Sequence, residues 1–291
     1  MDKNKIALGT VQFGLDYGIS NKKGQIPEKE AFEILYESIR SGIDVLDTAY
    51  AYGDSELVIG NFIKKHGNVF KIISKLPECD SNDVINVFES SLERLGIDGL
   101  YGYMCHSFQH CMDNPEIWSI LEELKSEGKI EKIGLSLYYP SELDYIIEKK
   151  INVDIIQVPY NIFDRRFEEY FPVLKKMGVE IFVRSVFLQG LVFKKPSELD
   201  DYFAKIKCKI SDLHSLAAQL NIPVAALCLN FAILNNFVDK VVVGVDSLQN
   251  IKEIMLSSVY QADVKNVVLK LYSLREDDEN MILPINWKVS R

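Results

Sequence analysis

The chain has 291 residues, of which 47% are hydrophobic and 26% charged, and its net charge is −9. This length allows one α/β barrel or two smaller domains. The acidic balance argues against nucleic acid or anionic lipid as the main partner. No apolar run approaches the roughly 18 residues that a membrane helix needs, and the apolar stretch at 6–8 is too short for a secretory leader.

The five cysteines form no C-x-x-C pair. The sequence therefore predicts neither a disulfide framework nor a metal site of the zinc-ribbon type. Free thiols are typical of a reducing cytoplasm, so we expect a cytoplasmic protein without a bound metal. The oligomeric state is left open.

Short apolar strand patterns alternate with amphipathic helix patterns along the chain. The predicted strands are 6–9, 43–46, 70–74, 100–105, 133–135, 153–158, 179–183 and 241–243. The predicted helices are 28–40, 55–63, 84–95, 115–127, 140–149, 168–177, 211–220, 224–234, 247–255 and 262–274. Eight strand–helix units with nearly all-apolar strands predict an α/β fold of the (β/α)8 TIM-barrel type, as a single domain over 1–291.

Two segments interrupt the alternation. A long loop at about 185–210 follows the seventh strand and exceeds the usual few residues, which indicates a functional loop. A C-terminal tail at about 275–291 contains the acidic run 276–279, which we expect in solvent. The competing fold, a doubly wound dinucleotide-binding sheet, requires G-x-G-x-x-G after the first strand, and residues 9–14 read GTVQFG instead.

Four polar side chains follow successive strands: Asp47, Tyr52, Lys75 and His106. Active sites of barrels assemble at the carboxyl ends of the strands. A phenol is a weak acid at neutral pH, and a nearby ammonium such as Lys75, with Asp47 as its counter-ion, lowers its pKa. His106 can polarise a carbonyl oxygen, and Tyr52 can protonate that oxygen as a hydride reaches the carbon.

Each of these residues also has a purely structural explanation. Asp47 can cap a helix, Tyr50 and Tyr52 can be rim residues, Lys75 can be a solvated cation and His106 a hydrogen-bonded structural histidine. Their joint occurrence at three successive strand ends favours the functional interpretation.

Residues 47–56, DTAYAYGDSE, resemble the D-T-A-x-x-Y-G-x-x-E signature of the aldo-keto reductase superfamily, and Gly60 matches its closing glycine. Residues 74–76, 106–107, 9–10, 134–136, 157–161 and the eighth strand extend the resemblance over almost the whole chain. It implies a (β/α)8 barrel that reduces aldehydes and ketones with NADPH, less often NADH. It places the catalytic tetrad on Asp47, Tyr52, Lys75 and His106, with Tyr52 as proton donor.

The resemblance also implies a set of cofactor-binding residues. They are Gly9, Thr10, Ser136, Gln157, Arg184, Ser185, Phe187, Leu188, Gly190, Gly244, Val245, Asp246, Ser247, Gln249 and Asn250. Ser136 and Gln157 match residues that bind the nicotinamide carboxamide. Arg184 stands where members often have an aromatic residue, so it lies against the nicotinamide ring, reaches a phosphate, or pairs with a carboxylate.

The resemblance favours NADP(H), but the residues before the last barrel helix leave NAD(H) open. Relatives selective for NADP usually carry Lys or Arg there, whereas this chain has Asp246, and Lys252 is the nearest cation in sequence. A carboxylate repels a 2′-phosphate and accepts a hydrogen bond from a free 2′-hydroxyl. Asp246 can equally be the N-cap of the helix.

The predicted function is reduction of the carbonyl group of a small aldehyde or ketone, with a sugar or sugar nucleotide as one candidate substrate. Aromatic residues are expected at the mouth of the site: Phe108, Phe187, Phe193 and Trp287, with His110, Lys194 and Lys195 nearby. One alternative is a nicotinamide-nucleotide-binding subunit with redox-sensing or structural roles and little turnover. Another is a lyase or isomerase that uses Lys75 as a Schiff-base amine.

Overall fold

The computed structural model describes residues 5–19, 21 and 23–287, and eight parallel strands close into a barrel in chain order. The strands are β1 (Ile6–Gly9), β2 (Val45–Asp47), β3 (Lys71–Leu76), β4 (Leu100–Cys105), β5 (Ile130–Ser136), β6 (Ile155–Pro159), β7 (Glu180–Arg184) and β8 (Lys240–Gly244). β1 closes the barrel because Leu8 pairs in register with both Leu46 of β2 and Val243 of β8. The predicted (β/α)8 barrel is confirmed.

Helices follow the strands and surround the barrel. They are α1 (Val11–Gly14), α2 (Glu28–Arg40), α3 (Ser55–His66), α4 (Val84–Leu95), α5 (Phe108–Asp113), α6 (Pro115–Ser126), α7 (Pro140–Lys149), α8 (Phe171–Lys176), α9 (Ala204–Leu220), α10 (Val224–Ile233), α11 (Leu248–Ser257), α12 (Gln261–Tyr272) and α13 (Glu279–Ile282). Among the described residues no single helix has the length and apolar composition of a membrane span. The segments 201–220 and 224–233, bent by 98°, pass that test only as a pair.

The strands are buried on both faces. A small apolar cluster fills the barrel interior, and a larger one packs the outer strand faces against the helices. The interior cluster consists of Ala7, Val45, Ile73, Met104, Ile155 and Phe182. Burial on both sides explains why the strand segments are almost continuously apolar rather than alternating.

The irregular segment after β7 is shorter than predicted. α9 begins at Ala204, so the segment predicted as a loop to about 210 ends in a short 3-10 turn at 201–203. Ile206, Ile210 and Leu213 are buried at helical spacing, and this apolar face holds the first turns of α9 against the core.

One continuous helix was predicted at 168–177, and the structure instead has a 3-10 turn at 168–170 followed by the short helix α8.

The acidic run 276–279 is not simply solvated, in contrast to the prediction. Lys209 Nζ lies 2.9 Å from Glu276 Oε2, Lys205 Nζ lies 2.5 Å from Asp278 Oδ2, and Arg166 Nη1 donates to Glu279 Oε1 at 2.6 Å. These pairs fasten the chain after α12 onto the loop after β6 and onto α9. The part of the predicted tail beyond residue 287 lies outside the described residues.

Candidate active site

An ion pair between neighbouring strands forms the floor of the site. Lys75 Nζ donates to Asp47 Oδ1 at 2.6 Å and to the carbonyl oxygen of Thr48 at 2.9 Å. Gln157 Nε2 of β6 donates to the other carboxylate oxygen, Asp47 Oδ2, also at 2.6 Å. The side chains of Lys75 and Asp47 are only 1% and 4% exposed. Each charge therefore has its partner within the protein, as a buried pair requires.

The turn after β2 places Tyr52 above this pair. Lys75 Nζ lies 5.1 Å from the centroid of the Tyr52 ring, and the ring of His106 lies 5.8 Å from it in an edge-on arrangement. The turn packs tightly against α1: a Cβ on Gly14 would lie 1.8 Å from the carbonyl oxygen of Tyr52. Gly53 has a φ of +54°, which glycine adopts without strain. These two glycines fix the backbone that carries the phenol.

The phenol of Tyr52 keeps its proton at neutral pH. Burial raises the pKa of Tyr52 well above its usual value, the charge of Asp47 raises it further, and Arg184 opposes the rise. The pKa of Tyr52 is thus not lowered as the sequence analysis expected, because burial and the carboxylate of Asp47 determine the direction of the shift. A protonated phenol has a proton that it can donate to a basic oxygen in the cavity.

The imidazole of His106 is neutral. Burial, followed by the charges of Lys75 and Arg184, lowers the pKa of His106 to about 3. A neutral ring carries one N–H, which can donate a hydrogen bond to a carbonyl oxygen while no charge sits on the ring.

A cavity of about 410 Å³ opens at the carboxyl ends of the strands. The predicted residues that line it are Gly9, Thr10, Asp47, Tyr52, His106, Ser136, Gln157, Arg184, Ser185, Phe187, Gly190, Gly244, Asp246 and Asn250. They come from the carboxyl-terminal parts of seven of the eight strands, β1, β2 and β4 to β8, and from the loops that follow them, which is the placement expected of a barrel active site.

Five predicted residues lie outside this lining. Lys75 lies beneath Asp47, and Leu188 and Val245 are buried in the core. Ser247 caps α11, since its Oγ accepts from Asn250 N at 3.2 Å, and Gln249 donates outward to Glu253 at 2.8 Å. Ser247, and not Asp246, is therefore the N-cap of α11.

The structure adds lining residues that the sequence reading missed: Val11, Gln12, Tyr17, Gly18, Asn21, Tyr138, Val186, Gln189, Val242 and Val243. Tyr138 follows Ser136 by two residues, so the alternation of a strand could have found it. Gln189 Nε2 donates to the hydroxyl of Tyr17 at 2.8 Å and so joins loops after β7 and β1 across the cavity. No local sequence pattern predicts that contact.

The aromatic mouth is only partly as predicted. Phe187 and Phe193 line the cavity with ring centroids 5.1 Å apart. Phe108 instead packs against Tyr145, and the ring of His110 is 2.8 Å from the carbonyl oxygen of Cys79. Trp287 donates to the carbonyl oxygen of Met281 and packs against Phe203.

Two carboxylates lie at the N-terminus of α11. Glu30 Oε1 of α2 accepts from Leu248 N at 3.0 Å, which occupies one of the free N–H groups of the helix. Asp246 lines the cavity, and Ser247 Oγ lies 2.9 Å from its Oδ1. A helix N-terminus favours anions, but these two acids already supply the negative charge.

Comparison with known proteins identifies the family. The model of the Aldo/keto reductase family matches residues 5–267. An uncharacterised oxidoreductase of Bacillus subtilis is 29% identical over 210 residues, which cover 67% of this chain and 65% of that protein. The NADH-specific methylglyoxal reductase of Escherichia coli is 30% identical over 219 residues, 65% of each chain. The chain thus spans slightly less than two thirds of the length of these relatives.

A solved structure supports the same fold. An aldo-keto reductase from Bacillus halodurans in its holo form superposes with a TM-score of 0.76 at 22% identity, over 95% of each chain. The barrel, the convergent polar side chains and the family match over residues 5–267 lead to one conclusion: the chain belongs to the Aldo/keto reductase family, a family of nicotinamide-dependent oxidoreductases.

Proposed function

We propose that this protein reduces an aldehyde or ketone to an alcohol, with NADH as hydride donor and Tyr52 as proton donor. The observation that carries the proposal is that a protonated phenol and a neutral imidazole face one cavity above a buried Asp47–Lys75 pair. A bound nicotinamide would supply the hydride to the carbonyl carbon, and all other roles belong to side chains of this chain.

The residues around the cavity fit such a cofactor. Gly9 lines the cavity, and a Cβ at this position would come within 3.2 Å of the Val242 side chain. The Oε1 atom of Gln12 is buried and has no hydrogen-bond partner among the described residues, so a ligand hydroxyl or amide can donate to it. Ser136 and Gln157 are at the inner end of the same cavity, where the resemblance predicts that the carboxamide binds.

The side chains then divide the chemistry. The ring N–H of His106 orients and polarises the carbonyl oxygen, which becomes more basic as hydride is added to carbon. Tyr52 transfers its proton to that oxygen. Lys75, 5.1 Å from the ring centroid, attenuates the charge left on the phenolate. A Schiff-base role for Lys75 is disfavoured, since its amine is sealed from the cavity and charged against Asp47.

The charges at α11 support NAD(H) rather than the NADP(H) that the resemblance favours. A 2′-phosphate at this helix would be near the carboxylates of Asp246 and Glu30, and repulsion between like charges would weaken its binding. A free 2′-hydroxyl can donate to Asp246 instead. The name of the Escherichia coli relative, an NADH-specific reductase, is in agreement with this assignment.

Turnover by a Tyr52→Phe variant tests the reaction. NADH oxidation is followed with a panel of aldehydes, ketones and aldoses, and we expect the variant to lose about 10²- to 10⁴-fold in kcat because the general acid is removed. NADH affinity, followed by tryptophan fluorescence, should be nearly unchanged. Tyr50→Phe is the matched control, since Tyr50 is in the same turn but lies under the guanidinium of Arg94 at 4.2 Å.

Normal turnover by Tyr52→Phe would refute the role assigned to the phenol. NADH binding without reduction of any carbonyl in the panel would favour the alternative of a nucleotide-binding subunit.

Cofactor selection is tested separately by the ratio of the dissociation constants for NADPH and NADH. We expect the wild-type protein to bind NADH more tightly, and we expect Asp246→Asn and Glu30→Gln each to lower the ratio several-fold. Glu33→Gln, an exposed acid on the same helix as Glu30, should leave the ratio unchanged. Tighter binding of NADPH by the wild type would contradict the assignment.

A further inference from the structure

Arg184 is the last residue of β7, and its side chain enters the cavity. The guanidinium carbon lies 4.3 Å from the centroid of the Tyr138 ring, and Nη2 donates to the carbonyl oxygen of Leu137 at 3.0 Å. Nη1 is 3.4 Å from the hydroxyl of Ser185. The stacking on Tyr138 and the bond to Leu137 hold the plane of the guanidinium in a defined orientation.

The partners of Arg184 among the described residues are all neutral: a carbonyl oxygen, a hydroxyl and a phenol ring. The other charged side chains that line the cavity among the described residues are Asp47 and Asp246. Asp47 is neutralised by Lys75, and Asp246 lies beside α11 with a bond from Ser247. Arg184 is therefore a partly buried cation without a carboxylate partner in the described residues, and an anion entering the cavity would stabilise it.

The side chain turns toward the reacting end of the cavity. From β7 it reaches Leu137 and Tyr138 beyond β5, and β5 is the neighbour of β4, whose end carries His106. β8, α11 and the two carboxylates of the adenosine end are on the other side of β7. The charge of Arg184 lowers the pKa of both Tyr52 and His106, which is consistent with a position close to the reacting groups.

We propose that the substrate carries an anionic group, a carboxylate or a phosphate, which Arg184 binds while the carbonyl of the same molecule lies against Tyr52 and His106. This inference rests on the proposed carbonyl reduction. The N–H groups of the guanidinium that are not bonded to Leu137 and Ser185 can hold two oxygens of one anion. The anion keeps its charge through the reaction: hydride goes to the carbonyl carbon, the proton of Tyr52 goes to the oxygen, and an alcohol results.

The test uses substrate pairs that differ in charge. Pyruvate is compared with methyl pyruvate, and glyceraldehyde 3-phosphate with glyceraldehyde, so that the carboxylate and phosphate arms are separate. For each pair the ratio of kcat/KM, anion over neutral, is measured in wild type and in Arg184→Gln; comparing the two proteins cancels the intrinsic reactivity of the carbonyls. We expect Arg184→Gln to lower the ratio roughly 10- to 100-fold in the arm that fits the site.

Two further variants make the comparison specific. Arg184→Lys keeps the charge but loses the planar fork, so its ratio should lie between those of wild type and Arg184→Gln. Lys195→Gln removes an exposed cation from the loop after β7, outside the cavity lining, and should leave the ratio unchanged. Thermal melts establish that each variant is folded.

A binding measurement separates this inference from the proposed function. Calorimetry of oxamate and of phosphoglycolate against the protein saturated with NADH should show binding to wild type and a 10- to 100-fold loss in Arg184→Gln. If an anion binds in this way but no carbonyl is reduced, the anion site stands and the proposed reaction fails. If neither anion binds, or if Arg184→Gln raises the dissociation constant of NADH and lowers kcat/KM equally for both members of each pair, Arg184 serves the cofactor and the inference is overturned.

Discussion

The two ends of the barrel interior contain similar residues and differ in what those residues can do. At the carboxyl ends of the strands, Asp47 and Lys75 form an ion pair next to Tyr52. At the amino ends, Glu180 and Lys132 form an ion pair next to Tyr101. Each cluster combines a carboxylate and a phenol with an ammonium, and the lower one has a second ammonium, since Lys71 Nζ lies 4.6 Å from the centroid of the Tyr101 ring. Residue type therefore does not explain why the upper cluster faces the cavity.

Burial and hydrogen bonding explain the difference. Lys132 and Glu180 are 28% and 25% exposed, and Tyr101 donates its hydroxyl proton to Glu180 Oε2 at 2.8 Å. The phenol of the lower cluster is thus bonded within the cluster. In the upper cluster Lys75 and Gln157 occupy the two oxygens of Asp47, and Tyr52 is left facing the cavity. In barrels of this type the carboxyl-end face is catalytic and the amino-end face serves stability.

Removing the ammonium of the upper pair should have the largest effect on stability. Lys75→Met leaves the carboxylate of Asp47 buried with one hydrogen bond from Gln157, and we expect a loss of about 3–5 kcal/mol in the free energy of unfolding. Denaturation in urea measures it. The double variant Asp47→Asn/Lys75→Met removes both charges and should recover most of that loss. A single variant as stable as wild type would show that the upper pair is not desolvated as the structure indicates.

The ionisation of His106 should make stability depend on pH in a defined window. Its pKa is about 3 in the folded protein and near 6.5 in the unfolded chain, so the unfolded state binds more protons between these values. The contribution of the neutral His106 ring to the free energy of unfolding is complete above about pH 6.5 and is lost progressively as pH falls toward 3. Urea midpoints between pH 7 and 4 should fall more steeply for wild type than for His106→Asn.

Equal slopes for the two proteins would mean that the imidazole is solvated. His110, His66 and His214 remain in both proteins and cancel in this comparison. His106 stays neutral above pH 5 and therefore does not titrate between pH 5 and 8. The pH–rate profiles of carbonyl reduction by wild type and by His106→Asn should have the same shape in that range.

Removing the ammonium of the lower pair should have the smallest effect. Lys132→Met breaks an ion pair that is about a quarter exposed, and Glu180 keeps its bond from Tyr101, so we expect a loss of only about 0.2–1 kcal/mol. The same urea measurement gives the value, and turnover should equal that of wild type. A loss as large as that of Lys75→Met would abolish the distinction between the two ends of the barrel.

The order of the fold could be inferred from local pattern. Strands buried on both faces read as short apolar runs, and eight such runs separated by helical periodicity specify a closed parallel barrel. The residues at which helices and strands begin and end were harder to predict from the sequence. α9 begins seven residues before the predicted start because Phe203, at its N-cap, offers no capping side chain to mark it. The acidic run at 276–279 appeared solvated because its cationic partners, Arg166, Lys205 and Lys209, are distant in sequence.

The candidate site, like the fold, was predictable from the sequence only in part. One contiguous stretch, 47–60, together with the strand ends at Lys75 and His106, was enough to place the reactive side chains at one mouth, because parallel strands in a barrel end on the same side. The hydrogen-bond partners of these side chains could not be predicted from the sequence. Gln157 meets Asp47 across 110 positions, Glu30 reaches α11, and Arg184 crosses to Leu137.

Those contacts determine which charges are compensated and which remain free for a ligand. They exist only because closure of the barrel brings remote side chains within hydrogen-bonding distance, and a hydrogen bond between remote residues leaves no periodicity in sequence.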